Sequence, residues 1–115
     1  MLVCRRLTGR EGEPDMHEQS PIRATTLLNE TAEIVKNRGR VYGSPSVNHL
    51  RIAKLWSVYL ERAVEPEQVA MCMALVKIAR LIESPKHLDS YQDAAAYLAI
   101  AAEISVIDWD DLDHY

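Results

Sequence analysis

Two aspartates stand at the start of an otherwise apolar stretch, residues 86–103, with the sequence KHLDSYQDAAAYLAIAAE. A carboxylate buried among apolar side chains is costly unless a partner neutralises it or binds it. Asp89 has a structural explanation, because Gln92 follows three residues later in a pattern typical of a capping box. Asp93 falls on the same helical stripe as Tyr97, so we expect it to face the interior.

Asp93 has two interpretations that the residue types leave open. It could form an ion pair with Lys77 or Arg80, the basic residues of the preceding predicted helix, aided by the positive end of its own helix. It could instead bind Mg²⁺, which prefers carboxylate oxygens and keeps waters that substrate phosphates can replace. Lys77 and Arg80 lie three residues apart on one stripe. They suit either interface salt bridges or polyphosphate binding, with a bidentate guanidinium beside a mobile ammonium.

Glu30 and Glu33 form an ExxE pair that places two carboxylates on one side of a predicted helix. Most such pairs are solvated helix surfaces. Carboxylates from two different helices are nevertheless what a metal site inside a helical bundle requires. Together with Asp93, the pair therefore suggests a magnesium or manganese site.

Asn48 and His49 lie on or near the inward face at the start of the second predicted helix. The ordinary interpretation is that Asn48 belongs to the first turn of the helix and that His49 is a core histidine with its hydrogen bonds satisfied. The alternative is that one of them contacts a ligand.

Apolar spacing and helix start and stop residues predict an all-α, four-helix bundle-like domain. The first helix should begin at Ser20-Pro21 and end at Arg38-Gly39, followed by a loop with the sequence GRVYGSP. The second should span 46–63, the third should begin at Pro66, and the fourth should run from near Asp89 to about 107. The residues expected to face inward on the second helix are Ile52, Ala53, Leu55, Trp56, Tyr59 and Leu60.

The remainder of the chain sets the domain organisation. Residues 1–19 lack sustained periodicity and are predicted to be a flexible arm, 20–107 a helical domain, and 108–115 an acidic tail. The 115 residues suit one domain, and the net charge of −4 argues against an extended nucleic-acid or anionic-membrane surface. Cys4 and Cys72 are far apart and indicate neither a disulfide framework nor a zinc site, so a reducing cytoplasm is expected.

The two central predicted helices are apolar on most sides, and one small chain has too few helices to cover both. We therefore expect a homo-oligomer, a dimer or tetramer, in which alanine-rich helix faces allow close contact between subunits. No apolar stretch is long enough for an ordinary membrane span.

Three segments carry a family resemblance: RGRVYGSPSVNHLRIAKLWSVYL, the KIARL segment, and the D-x-x-x-D-x-x-x-Y pattern of Asp89, Asp93 and Tyr97. Over about residues 28–103 the chain resembles a set of small uncharacterised phage and prophage proteins. It is also similar to nucleotide-modification-associated phage proteins and, more distantly, to all-α MazG-like NTP pyrophosphohydrolases.

The MazG-like resemblance implies a magnesium site built from an ExxE on one helix and an ExxD on a later one, in dimers or tetramers. Glu30, Glu33 and Asp93 match three of these positions. The place of the later glutamate is Ser90, and Asp89, one residue further off, would assist through water.

The first functional hypothesis is a metal-dependent pyrophosphohydrolase of (d)NTPs or modified nucleotides. Glu30, Glu33 and Asp93 would be catalytic and would hold Mg²⁺ (or Mn²⁺) together with Asp89. The residues expected to bind the substrate are Lys77, Arg80, Asn48, Tyr97 and Tyr42. The second hypothesis is a non-catalytic protein that sequesters a nucleotide, such as a signalling nucleotide of host defence. The third is a purely structural helical adaptor.

Overall fold

The computed structural model describes residues 23–109, which form four α-helices and contain no strand within that range. The helices are α1 (Ala24–Tyr42), α2 (Pro45–Leu60), α3 (Pro66–Glu83) and α4 (Leu88–Ser105). This confirms the all-helical class and the number of helices, and it is compatible with a bundle. The predicted arm, the Ser20-Pro21 helix start and nearly all of the acidic tail lie outside the described residues.

Helix α1 continues about one turn beyond its predicted end. Gly39 is inside the helix, where a Cβ would meet nothing within 4 Å, so this glycine does not have to break it. The helix ends instead at Gly43, whose φ of 86° suits glycine and whose N–H donates to the Gly39 carbonyl at 3.0 Å. The predicted GRVYGSP loop is thus reduced to Gly43 and Ser44.

The connection between α2 and α3 is held by local hydrogen bonds. The Ser57 hydroxyl donates to the Ala53 carbonyl at 2.7 Å and accepts the Val64 N–H at 2.9 Å. Helix α3 begins at Pro66 as predicted, and the Gln68 side chain accepts the Glu65 N–H at 2.9 Å. These contacts satisfy backbone groups that the helix ends would otherwise leave unpaired.

The first turn of α4 corrects the interpretation of Asp89. The residue before the helix is His87, whose Nδ1 hydrogen-bonds the Ser90 hydroxyl at 2.8 Å. Asp89 is inside the first turn and exposed, so it does not cap the helix. Its charge still favours the positive helix N-terminus.

The centre of the fold is the α3–α4 pair, which shares the most extensive interface; α1 packs on α4, and α2 packs on both central helices. Small side chains allow the two central helices to approach closely. The buried alanines on these helices are Ala70, Ala74, Ala94 and Ala101. These alanines therefore serve an interface within the chain, whereas the predicted alanine-rich contact between subunits stays a prediction.

Helix α2 is covered on one side only. Ala53 is buried and Trp56 is half-buried, but Leu55, Tyr59 and Leu60 are exposed. The prediction that these last three face inward is wrong for a single chain, because α3 and α4 cover only the other side of α2. None of the helices within residues 23–109 has the length and apolar character needed to cross a membrane.

Candidate ligand-binding site

An open pocket of about 480 Å³ lies where the C-terminal part of α1 meets the start of α2 and the middle of α4. Its volume is within the range of about 300–1,000 Å³ that is usual for small-molecule sites. The polar and charged side chains that line it are those of Arg38, Tyr42, Asn48, His49, Lys77, Asp93 and Tyr97.

An ion pair forms one wall of this pocket. The Lys77 Nζ lies 3.1 Å from Asp93 Oδ2, and the two side chains are 17% and 35% exposed. This confirms the ion-pair interpretation of Asp93, with Lys77 as its partner. An ammonium carries three N–H donors, and an ion pair with a single carboxylate oxygen does not use all of them. Lys77 therefore retains the capacity to bind a second anion.

Arg38 is a second cation at the pocket, and the sequence analysis missed it. Arg38 and Gly39 resemble a helix end in sequence, although Ile34 and Val35, one turn earlier, also line the pocket. Extending the helical spacing by one turn would have placed Arg38 on the same face. Two cations and one carboxylate line the pocket, so its local charge is positive in a chain whose net charge is −4.

Two tyrosines and an amide supply the remaining polar surface. Tyr42 is the last residue of α1 and is highly exposed, whereas Tyr97 on α4 is half-buried. Asn48, in the first turn of α2, is exposed and offers both a donor and an acceptor. These three predicted ligand-binding residues therefore line one pocket together with Lys77.

His49 is 5% exposed and carries an unusual buried acceptor. Its Nδ1 lies 2.7 Å from the Pro45 carbonyl oxygen, which can only accept, so Nδ1 carries the proton. In the neutral ring Nε2 is then an acceptor, and it is buried without a hydrogen-bond partner within residues 23–109. The ring packs edge-on to Tyr97, with centroids 6.2 Å apart. The expectation of a fully satisfied core histidine is therefore met at one nitrogen only.

The other predicted site residues do not line the pocket. Arg80 and Asp89 are exposed. Glu33 pairs with Lys36 at 3.5 Å on the solvent side of α1, and Glu30 accepts a long hydrogen bond of 3.4 Å from the Gln92 amide.

A metal therefore does not fit the described part of one chain. Within it, no group of three Asp, Glu, His or Cys side chains could hold a metal ion. The carboxylate of Asp93 is also engaged by Lys77. The magnesium or manganese site stays a prediction, and no chemical step can be derived through it.

Comparison with known proteins gives a family but no activity. The family model described as a domain of unknown function, DUF6378, matches residues 26–105. The chain is also 39% identical over 84 residues to the Gene 55 protein of Mycobacterium phage L5, covering 70% of this chain and 53% of that protein. It is 36% identical over 80 residues to the Gene 55 protein of Mycobacterium phage D29, covering 69% and 53%.

The chain spans about half the length of these curated relatives. No solved structure gives a significant match. The relatives support the predicted resemblance to small phage proteins, whereas the more distant likeness to MazG-like enzymes stays a prediction. On the strength of the match over residues 26–105, this chain belongs to the DUF6378 family.

Proposed function

We propose that the pocket binds a nucleotide, or a closely similar molecule with an aromatic base and a phosphate, and that binding needs no metal. The observation that carries this proposal is the placement of Arg38 and Lys77 in one pocket with Tyr42 and Tyr97. Such a pocket offers cations for the phosphate and aromatic rings for the base.

The chemistry of each group fits this ligand class. A guanidinium binds phosphate oxygens in a bidentate manner, and a lysine adds a mobile positive charge. Stacking of a base on an aromatic side chain contributes about 1–3 kcal/mol per base. Asn48 can pair with a base edge or a sugar hydroxyl through its amide.

His49 supports a ligand that carries a hydrogen-bond donor. A buried acceptor without a partner costs about 1–3 kcal/mol, and an N–H or O–H brought to Nε2 would offset this cost. Since that nitrogen is covered by protein atoms, its use by a ligand requires a small rearrangement of the pocket wall. Exocyclic amines and sugar hydroxyls of nucleotides are donors of this kind.

Binding is better supported than hydrolysis by the same pocket. Four of the five residues predicted to bind substrate line it, but Asp93 is the only one of the four predicted metal ligands that does. A pocket that retains the phosphate-binding and base-binding groups without assembled carboxylates suits sequestration of a nucleotide. Metal-dependent pyrophosphate release is the competing outcome.

A thermal-shift panel tests this proposal. We expect at least one nucleoside mono-, di- or triphosphate, or a cyclic nucleotide, to raise the melting temperature by several degrees in EDTA, because a ligand selective for the folded state stabilises it. Chromatography of the same mixtures with Mg²⁺ or Mn²⁺ should recover the nucleotide intact. Stabilisation that requires the metal, with release of monophosphate and pyrophosphate, would support the hydrolase instead. A panel without any stabilising nucleotide would contradict the proposal.

A further inference from the structure

Helix α3 carries an apolar stripe on the side facing away from α4. Its members are Met71, Leu75, Ile78 and Ile82, with exposed fractions of 48%, 61%, 43% and 83%. Val69 on the opposite side of the helix, and Ala70 and Ala74 between that side and the stripe, are at most 1% exposed. We refer to the four exposed residues as the α3 seam.

The spacing of the α3 seam is that of a helix–helix contact. Its members follow one another by four, three and four residues, which is the alternation of a and d positions in a coiled coil. The neighbouring exposed positions Gln68, Cys72 and Ala79 are uncharged. Along this side a second helix can approach the seam without burying a charge, and the charged Glu67 lies at the end of the seam, one turn before Met71, at the rim of the contact.

The same spacing is symmetric about its centre, so an identical seam in antiparallel orientation matches it position by position. We infer that a second copy of this chain packs its own α3 against the seam, antiparallel and related by a two-fold axis. In this register Met71 meets the partner's Ile82, and Leu75 meets the partner's Ile78. A self-complementary patch is what a two-fold dimer interface requires.

The apolar surface continues from the seam onto α2. Beside Met71 lies a shallow depression of about 360 Å³, which Trp56 and Leu60 of α2 also line. Leu55 and Tyr59 are exposed further along α2. An interface of standard size takes roughly 800 Å² from each partner, and the seam needs this additional surface to reach it. The inference does not depend on the proposed ligand.

The first test is the molar mass of the full chain in solution, measured by light scattering across a concentration series. The wild type should have twice the mass of one chain, and Leu75→Glu should reduce it to the mass of one chain. Val106→Glu is the matched control, since Val106 is apolar, highly exposed and outside the seam. Circular dichroism establishes that each variant is folded.

The second test fixes the register by cross-linking. In a Cys4→Ser/Cys72→Ser background, Leu75→Cys and Ile78→Cys chains are prepared separately, mixed and oxidised. The antiparallel register predicts a disulfide between the two different chains and little between identical ones.

Three results would overturn the inference. One is a monomeric wild type, whose seam is then covered by another part of the chain or by a different partner. Another is an oligomer that Leu75→Glu leaves intact. The third is a disulfide formed mainly between identical Leu75→Cys chains, which indicates a parallel or displaced pairing.

Discussion

Lys77 and Asp93 are 3.1 Å apart, but their unequal exposure gives them different roles. Lys77 is the more buried of the two, so it depends more on its partner for stabilisation. Asp93 is more accessible and repels any phosphate that approaches the ammonium. The pair therefore links the stability of the fold to the affinity of the pocket.

Asp93→Asn tests the role of the Asp93 carboxylate in the stability of the fold and in the affinity of the pocket. We expect the free energy of unfolding to fall by about 1 kcal/mol, because a partly buried ammonium loses its partner but keeps some access to water. Nucleotide affinity in EDTA should rise a few-fold, because the competing carboxylate is gone. Urea denaturation and calorimetric titration measure the two effects. Loss of nucleotide binding in this variant would contradict the assigned role of Asp93.

The residue types predict some of the side chains in the pocket and miss others. The residue types limited the ion-pair partner of Asp93 to Lys77 or Arg80, the two bases of the preceding helix, but left magnesium binding open as an alternative. Arg38 was missed because a glycine follows it, and glycine often ends a helix. Whether a helix continues through glycine depends on the packing around it, which local sequence does not specify.

At the scale of elements, the junction between α1 and α2 positions Tyr42 and Asn48 at the pocket. Gly39 and Gly43 lie four residues apart there but have different backbone requirements. Gly43 has a positive φ of 86°, whereas Gly39 is inside the helix with open space around its Cα.

Substituting each glycine by alanine should therefore have opposite effects. Gly43→Ala should destabilise the fold by about 1–2 kcal/mol, because an L residue is strained at positive φ. Gly39→Ala should stabilise it by roughly 0.5–1 kcal/mol, because alanine favours the helix interior. Thermal and urea unfolding of both variants measure the difference. Equal effects of the two substitutions would show that the position of the α1 end has been misassigned.

The proline between two glutamates predicted the α3 start at Pro66. Periodicity predicted the inward position of Ala53 but misplaced the covered side of α2. The apolar residues of α2 extend around much of the helix, so spacing alone does not distinguish the face that contacts α3 from the exposed one. The distinction arises from the way α2 packs on both central helices.

At the scale of the whole molecule, the α3–α4 interface depends on small side chains. Ala74 is 1% exposed, so Ala74→Leu should destabilise the fold by about 1–3 kcal/mol through overpacking. Ala102→Leu on the exposed side of α4 is the matched control and should change stability little. Urea unfolding of both variants provides the comparison, and similar stabilities would argue against close packing of the two central helices.

An all-helical fold could be predicted from composition and spacing, because each helix has its own apolar periodicity and its own start and stop residues. The site could be predicted only in part, because it joins residues from four helices. The four residues predicted to bind metal all carry carboxylates, but Glu33 faces solvent beside Lys36 and Glu30 lies next to Gln92. Their separation is a consequence of helix orientation, which no local pattern fixes.

The most direct test of nucleotide binding by the pocket is isothermal titration of the most stabilising nucleotide, in EDTA, into wild type, Lys77→Ala and Lys54→Ala. Lys54 is an exposed lysine of α2 that does not line the pocket, so its substitution controls for net charge. We predict saturable binding by wild type and Lys54→Ala, with affinity at least about tenfold weaker in Lys77→Ala, a difference of roughly 1.4 kcal/mol. Equal weakening in both variants would show that the nucleotide does not bind beside Lys77. The absence of binding by wild type would contradict nucleotide binding by this protein.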